Sequence, residues 1–212
     1  MENSILWTNR LFGIEIEIYL PSLSLLKQEL SKNNISFLHA PNRDKHKLYN
    51  CVKLIHDSSL KPKPGLEAIE INLPPSSDFK LLYQICNILK NINAVVIDNC
   101  ALHIHTDIRD KTWEQALNIM YYYLDNEQTI LNNIQDIQHK TSCLTCSLSL
   151  ANFTRKNENC ATHMKLSWPY KYYKTIEHRA FMGTINYDEI VQCVLLTQDI
   201  VEKGLQYKKG RS

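Results

Sequence analysis

The stretch Gly13-Ile-Glu-Ile-Glu-Ile-Tyr-Leu20 alternates strictly. Side chains on a strand point to opposite faces with period two, so Ile14, Ile16, Ile18 and Leu20 share one face and Glu15, Glu17 and Tyr19 the other. A helix cannot bury such a pattern, and two carboxylates on one strand face need a reason to be there. Three later segments repeat the theme. In 66–73, Glu70 shares a face with Ala68 and Asn72, while Ile69, Ile71 and Leu73 point the other way. In 101–108, His103, His105 and Asp107 lie opposite Leu102, Ile104 and Ile108. In 175–182, Glu177 and Arg179 share a face with Thr175, which leaves His178 on the apolar side as a core histidine.

Between these strands the pattern turns helical. Pro21-Ser22 starts a helix with Leu23, Leu26 and Leu30 at helical spacing, and Asp78 caps one carrying Phe79, Leu82, Cys86 and Leu89. The longest helix follows Asp110 or Thr112, with Trp113, Leu117, Met120, Leu124, Leu131 and Ile134 as its buried stripe. The last begins near Tyr187. Further strands are expected over 48–55 and 94–97, and Pro74-Pro75 is expected to stop the 66–73 strand. Without a regular βαβ rhythm or a glycine-rich first turn, the reading is an α+β domain with an antiparallel sheet backed by helices. The 212 residues suit a single domain, 1–212, with a Cys/His-rich insert at about 138–168 where periodicity is lost.

Charge narrows the function classes. Lys and Arg number 24 against 22 Asp and Glu, a formal +2, so a broadly basic polyanion binder is excluded. No apolar run reaches the ~20 residues of a membrane helix. The opening MENSILWTNR has no basic-then-apolar leader, so a cytoplasmic protein is expected, with its seven cysteines reduced or on metal.

A solvated sheet face is usually Lys, Thr and Ser. Here it carries acids, two imidazoles and one arginine, and clustered carboxylates call for a cation. Glu15 and Glu17 lie roughly 7 Å apart along the strand. They suit two neighbouring ions, and oxygen-rich shells with an imidazole suit Mg²⁺ or Mn²⁺.

In order, GIEIE, HDSSL, EAIEINLPP, NCALHIHTD and TIEHRAFMGT resemble the blocks of the amidoligase family, carboxylate–amine ligases with the glutamine synthetase catalytic fold. The resemblance implies a concave antiparallel sheet holding ATP and divalent cations. It implies that Glu15, His103 and Glu177 hold one metal and that Glu17 and Glu70 hold a second. His105 would face the phosphates, Arg179 would neutralise the transferred phosphoryl group, and Asp57 would border the substrate. Cys100-Ala101 departs from the family's glycine, and the Arg- and Asn-bearing segment before the last strand is not evident. The partners implied are a carboxylate-bearing and an amine-bearing substrate, small molecule or peptide side chain. The amine must lose a proton, and Glu67 is a candidate acceptor, although it sits on the Ile69/Ile71 face.

Cys143-x-x-Cys146 followed by Cys160-x-x-His163 has the spacing of a structural Zn²⁺ site. Asn152, Arg155, Lys156 and Lys165 around it leave nucleic acid as a further partner of that segment. Tyr121–Tyr123 reads as packing, and the tyrosines of 169–173 as structural or as a stacking platform for adenine. Two other function classes compete. His103-x-His105-x-Asp107 has the bare spacing of a metal-dependent hydrolase, and a zinc-stapled, non-catalytic binding module is the other alternative.

Overall fold

A computed structural model describes residues 10–40, 50–56, 60–61, 63–97, 99–138, 164–165 and 167–208. Their backbone contacts divide into two compact units.

One unit takes the described residues of 13–102 and 182–190. Its strands are β1 (Phe12–Leu20), β2 (Phe37–Ala40), β3 (Val52–Ile55) and β4 (Glu67–Ser76), and its helices are α1 (Leu23–Lys32) and α2 (Lys80–Asn91). The alternation in β1 behaves as its period demands. Ile14, Ile16 and Ile18 are 0–1% exposed, each worth about 1.5–3 kcal/mol of burial. Leu26 and Leu30 of α1 are buried, as are Leu82, Ile85, Cys86, Ile88 and Leu89 of α2. Ser22 caps α1 by accepting from the Leu25 amide at 3.4 Å. Asp78 acts one residue outside the formal cap of α2, its Oδ1 accepting from the Lys80 amide at 2.9 Å.

The other unit takes the described residues of 1–12, 103–181 and 191–212. It carries β5 (Ala101–Asp107), α3 (Trp113–Asp125), α4 (Glu127–Gln138), β6 (Met164–Lys165), α5 (Ser167–Tyr173) and β7 (Thr175–Met182). Helix α6 (Tyr187–Gln206) contributes to both units. The chain is thus a mixed α+β protein. The first unit orders its strands β2-β3-β4-β1 and the second β5-β7-β6, mostly antiparallel and backed by helices. The parallel exception is β2 on β3, Phe37 opposite Val52. No helix among the described residues is long and apolar enough to cross a membrane.

Several local expectations are corrected. The segment 94–97 is not a strand: only an isolated bridge joins Val95 to Tyr19. Pro74 and Pro75 do not stop β4, which runs on to Ser76, beyond the Glu70–Asn72 ladder with β3. The long helix breaks at Asn126, which caps α3 with its amide on Tyr122 and Tyr123 carbonyls. Its buried face is Ala116, Ile119, Met120 and Tyr123, while Trp113 is 41% exposed.

The segment after β7 explains one glycine. The Gly183 amide donates to the Cys100 carbonyl at 2.9 Å. A Cβ on Gly183 would stand 2.7 Å from Cys100 Cβ and 2.8 Å from Val96 Cγ1. Only glycine allows that approach.

Candidate active site

Strands β5 and β7 build one cluster. His103 and Glu177, 2% and 4% exposed, are buried, and Arg179 is partly exposed. Arg179 Nη1 donates to Glu177 Oε1 and lies 3.4 Å from His103 Nδ1, while His103 Nδ1 stands 3.9 Å from Glu177 Oε1. A guanidinium offers only donors, so His103 Nδ1 is the acceptor in that contact. A buried carboxylate without a cation would carry a large desolvation cost, and Arg179 offsets it. The same guanidinium keeps an exposed edge for an anion.

The neighbouring imidazole is held differently. His105 Nδ1 lies 3.1 Å from Thr175 Oγ1. Its ring meets Tyr173 edge to face at 6.0 Å between centroids, which brings α5 to this histidine. His178 points the other way, as its alternation requires, and is 2% exposed. Burial first, and the charge of His105 second, push its pKa down to about 3, so it is neutral. Its Nε2 has no hydrogen-bond partner among the described residues. It is a core histidine, as the alternation of its strand requires.

On β1 and β4, Glu17 is 5% exposed and its Oε2 accepts from the Ala101 amide at 2.8 Å. Glu70 is fully buried and Asn72 nearly so, and Asn72 Nδ2 donates to Glu15 Oε1 at 3.3 Å. Register places Lys53 of β3 opposite Asn72, and Lys53 is 8% exposed. Lys53 is a polar residue that the motif reading passed over, while that reading puts Asn72 on this face without a role. A lone lysine inside Val52–Ile55 was the available signal, because cross-strand partners share a face. Glu67, the candidate proton acceptor, is exposed and its Oε1 accepts from the Leu23 amide at 3.0 Å, so it serves the N-terminus of α1.

Asp107 is occupied by Arg109. The carboxylate meets Arg109 Nε at 3.0 and 3.1 Å, Nη2 at 2.9 Å and the Arg109 amide at 3.0 Å. An acid held by its own arginine is a poor third ligand for the hydrolase spacing. Within this unit His105 and Glu177 offer an imidazole nitrogen and a carboxylate oxygen within 4.8 Å of each other, a donor pair that suits Mn²⁺. Asp57, Cys143, Cys146, Cys160 and His163 lie outside the described residues.

Residues 8–142, well over half of the chain, match the family described as "Putative amidoligase enzyme". The chain belongs to the amidoligase family. No curated protein matches the chain, and no solved structure does. The amidoligase match contains Glu15, Glu17, Glu70, His103 and His105 and stops before β7. Glu177 and Arg179 therefore join the candidate site through the fold and not through the matched segment.

Proposed function

We propose that this amidoligase is an ATP-dependent carboxylate–amine ligase that forms an amide or isopeptide bond through an acyl phosphate, on a glutamine synthetase-like sheet. The observation that carries the reading is Arg179 paired to buried Glu177 beside His103, in a chain of this family. A carboxylate is a poor electrophile. Its oxygen attacks the γ-phosphorus of ATP, the bond to the β-phosphate oxygen breaks, and ADP leaves. The amine nitrogen then attacks the acyl carbon, the C–O bond to phosphate breaks, and the nitrogen gives up a proton.

Both steps gather negative charge. Arg179 faces that charge with its exposed edge, and the Glu177 pairing fixes its plane. A divalent ion with His103 and Glu177 among its ligands would neutralise the ATP phosphates, and Glu17 and Glu70 would serve a second. Glu67 is occupied at α1, so the amine's proton leaves to solvent or to another carboxylate of the acidic face. Cytoplasm, with its ATP pool and reduced thiols, is the compartment this chemistry suits.

ADP and phosphate release, measured with a panel of amino acids and amines in Mg²⁺ or Mn²⁺, tests the reading. Arg179→Lys keeps the charge and loses the planar fork, so the rate is expected to fall by about tenfold or more, ~1.4 kcal/mol per decade. Normal turnover in that variant would remove Arg179 from the mechanism. Cys143, Cys146, Cys160 and His163 form a structural Zn²⁺ site in this proposal. Purified protein should carry about one zinc per chain, and Cys146→Ser should lose it without changing Mn²⁺ binding.

A further inference from the structure

Asn72 carries a polar atom that neither the fold nor the proposed reaction has used. It is 6% exposed and sits two residues beyond Glu70 on β4, so both side chains leave the same face. Its Nδ2 donates to Glu15 Oε1 at 3.3 Å. That contact fixes the sense of the amide, because turning Oδ1 to a carboxylate would set acceptor against acceptor. Oδ1 is then left buried, with no hydrogen bond among the described residues, and Lys53 opposite it makes none to it.

Holding Glu15 in place needs only the amide nitrogen. It does not account for a buried oxygen whose lone pairs have lost water, a state that native structures rarely tolerate without a reason. A side-chain amide oxygen beside carboxylates is an ordinary ligand combination for a hard divalent cation, and neutral ligands limit the charge such a shell must hold together. Lys53, buried opposite Asn72, puts a positive charge on the same face.

We infer that Asn72 is a cation ligand, its Oδ1 joining carboxylate oxygens of Glu15 and Glu70 around a divalent ion. The inference rests on the ligase reading for the identity of the face, and adds a residue to it. An alternative source of the same positive charge is the ammonium group of the amine substrate.

The test titrates Mn²⁺ alone into the full chain, without nucleotide, and follows free Mn²⁺ by electron paramagnetic resonance. Asn72→Leu keeps the size and removes the oxygen, so Mn²⁺ affinity is expected to fall by about tenfold or more. Asn72→Asp keeps an oxygen and should bind within about threefold of the parent or tighter. Far-UV circular dichroism checks folding, and Asn72→Ala carries the comparison if Asn72→Leu does not fold. Parent-like Mn²⁺ affinity in the oxygen-free variant overturns the inference, as does an equal loss in Asn72→Asp. Parent-like Mn²⁺ binding combined with a raised KM for the amine would assign Oδ1 to the ammonium and equally overturn it. Absence of ADP formation with every substrate pair would count against the ligase reading alone and leave the Mn²⁺ comparison standing.

Discussion

Gly204 lies near the end of α6, and its substitution by alanine sets two calculable effects against each other. Alanine is the better helix former by about 0.8–1 kcal/mol in a helix interior. On propensity alone, Gly204→Ala would stabilise the protein. Tertiary packing opposes it. A Cβ at this position would stand 2.5 Å from Ile119 Cα and 3.0 Å from Ile119 Cβ. Ile119 is fully buried in the middle of α3, and the nearest atom is backbone, so no rotamer change can relieve the overlap. Overpacking of this kind costs about 1–3 kcal/mol, and a backbone contact belongs at the upper end. Subtracting the propensity gain leaves a net loss of about 2 kcal/mol. For a chain of this length each kcal/mol moves Tm by about 2–4 °C, so a fall of roughly 4–8 °C is expected. Thermal and urea unfolding of the two proteins, with unchanged m-value, give the measurement. A Tm equal to or above that of the parent would show that α6 and α3 do not approach at Ile119 as described.

Other outcomes follow from individual contacts. Thr112→Ala removes a capping box in which Thr112 Oγ1 accepts from the Gln115 amide and the Gln115 side chain accepts from the Thr112 amide. Urea unfolding should show a loss of about 0.5–2 kcal/mol, whereas Thr112→Ser should be nearly neutral. Burial pushes the Cys86 thiol up to about 12, against smaller lowering effects of Lys90 and its own backbone. At pH 9 about one molecule in a thousand would carry the thiolate. Iodoacetamide mapping of the folded protein should therefore label half-buried Cys51 well before Cys86, and rapid labelling of Cys86 would contradict its burial.

Local period-two alternation was enough to read β1, β5 and β7 and to send His178 inward, because a strand's two faces are set by covalent geometry. Capping chemistry likewise located α1 at Ser22 and narrowed the start of α3 to Asp110 or Thr112, of which the structure takes Thr112. The family blocks named a chemistry that the match over 8–142 supports as amidoligase. Partners across the sheet were not legible. β2 pairs in parallel with β3, and that choice rests on contacts distant in sequence, not on either strand's pattern. The same holds for Lys53, which looks like an interruption of an apolar run until the β3–β4 register sets it opposite Asn72. It holds for α3 as well, where Ile119 is buried against Gly204 and Trp113 is exposed. Asp107 and Glu67 look available as acids in one dimension, and only folding assigns them to Arg109 and to the Leu23 amide. A side chain's face is written in its neighbours along the chain, but its partner depends on register and packing between segments that the chain itself keeps far apart.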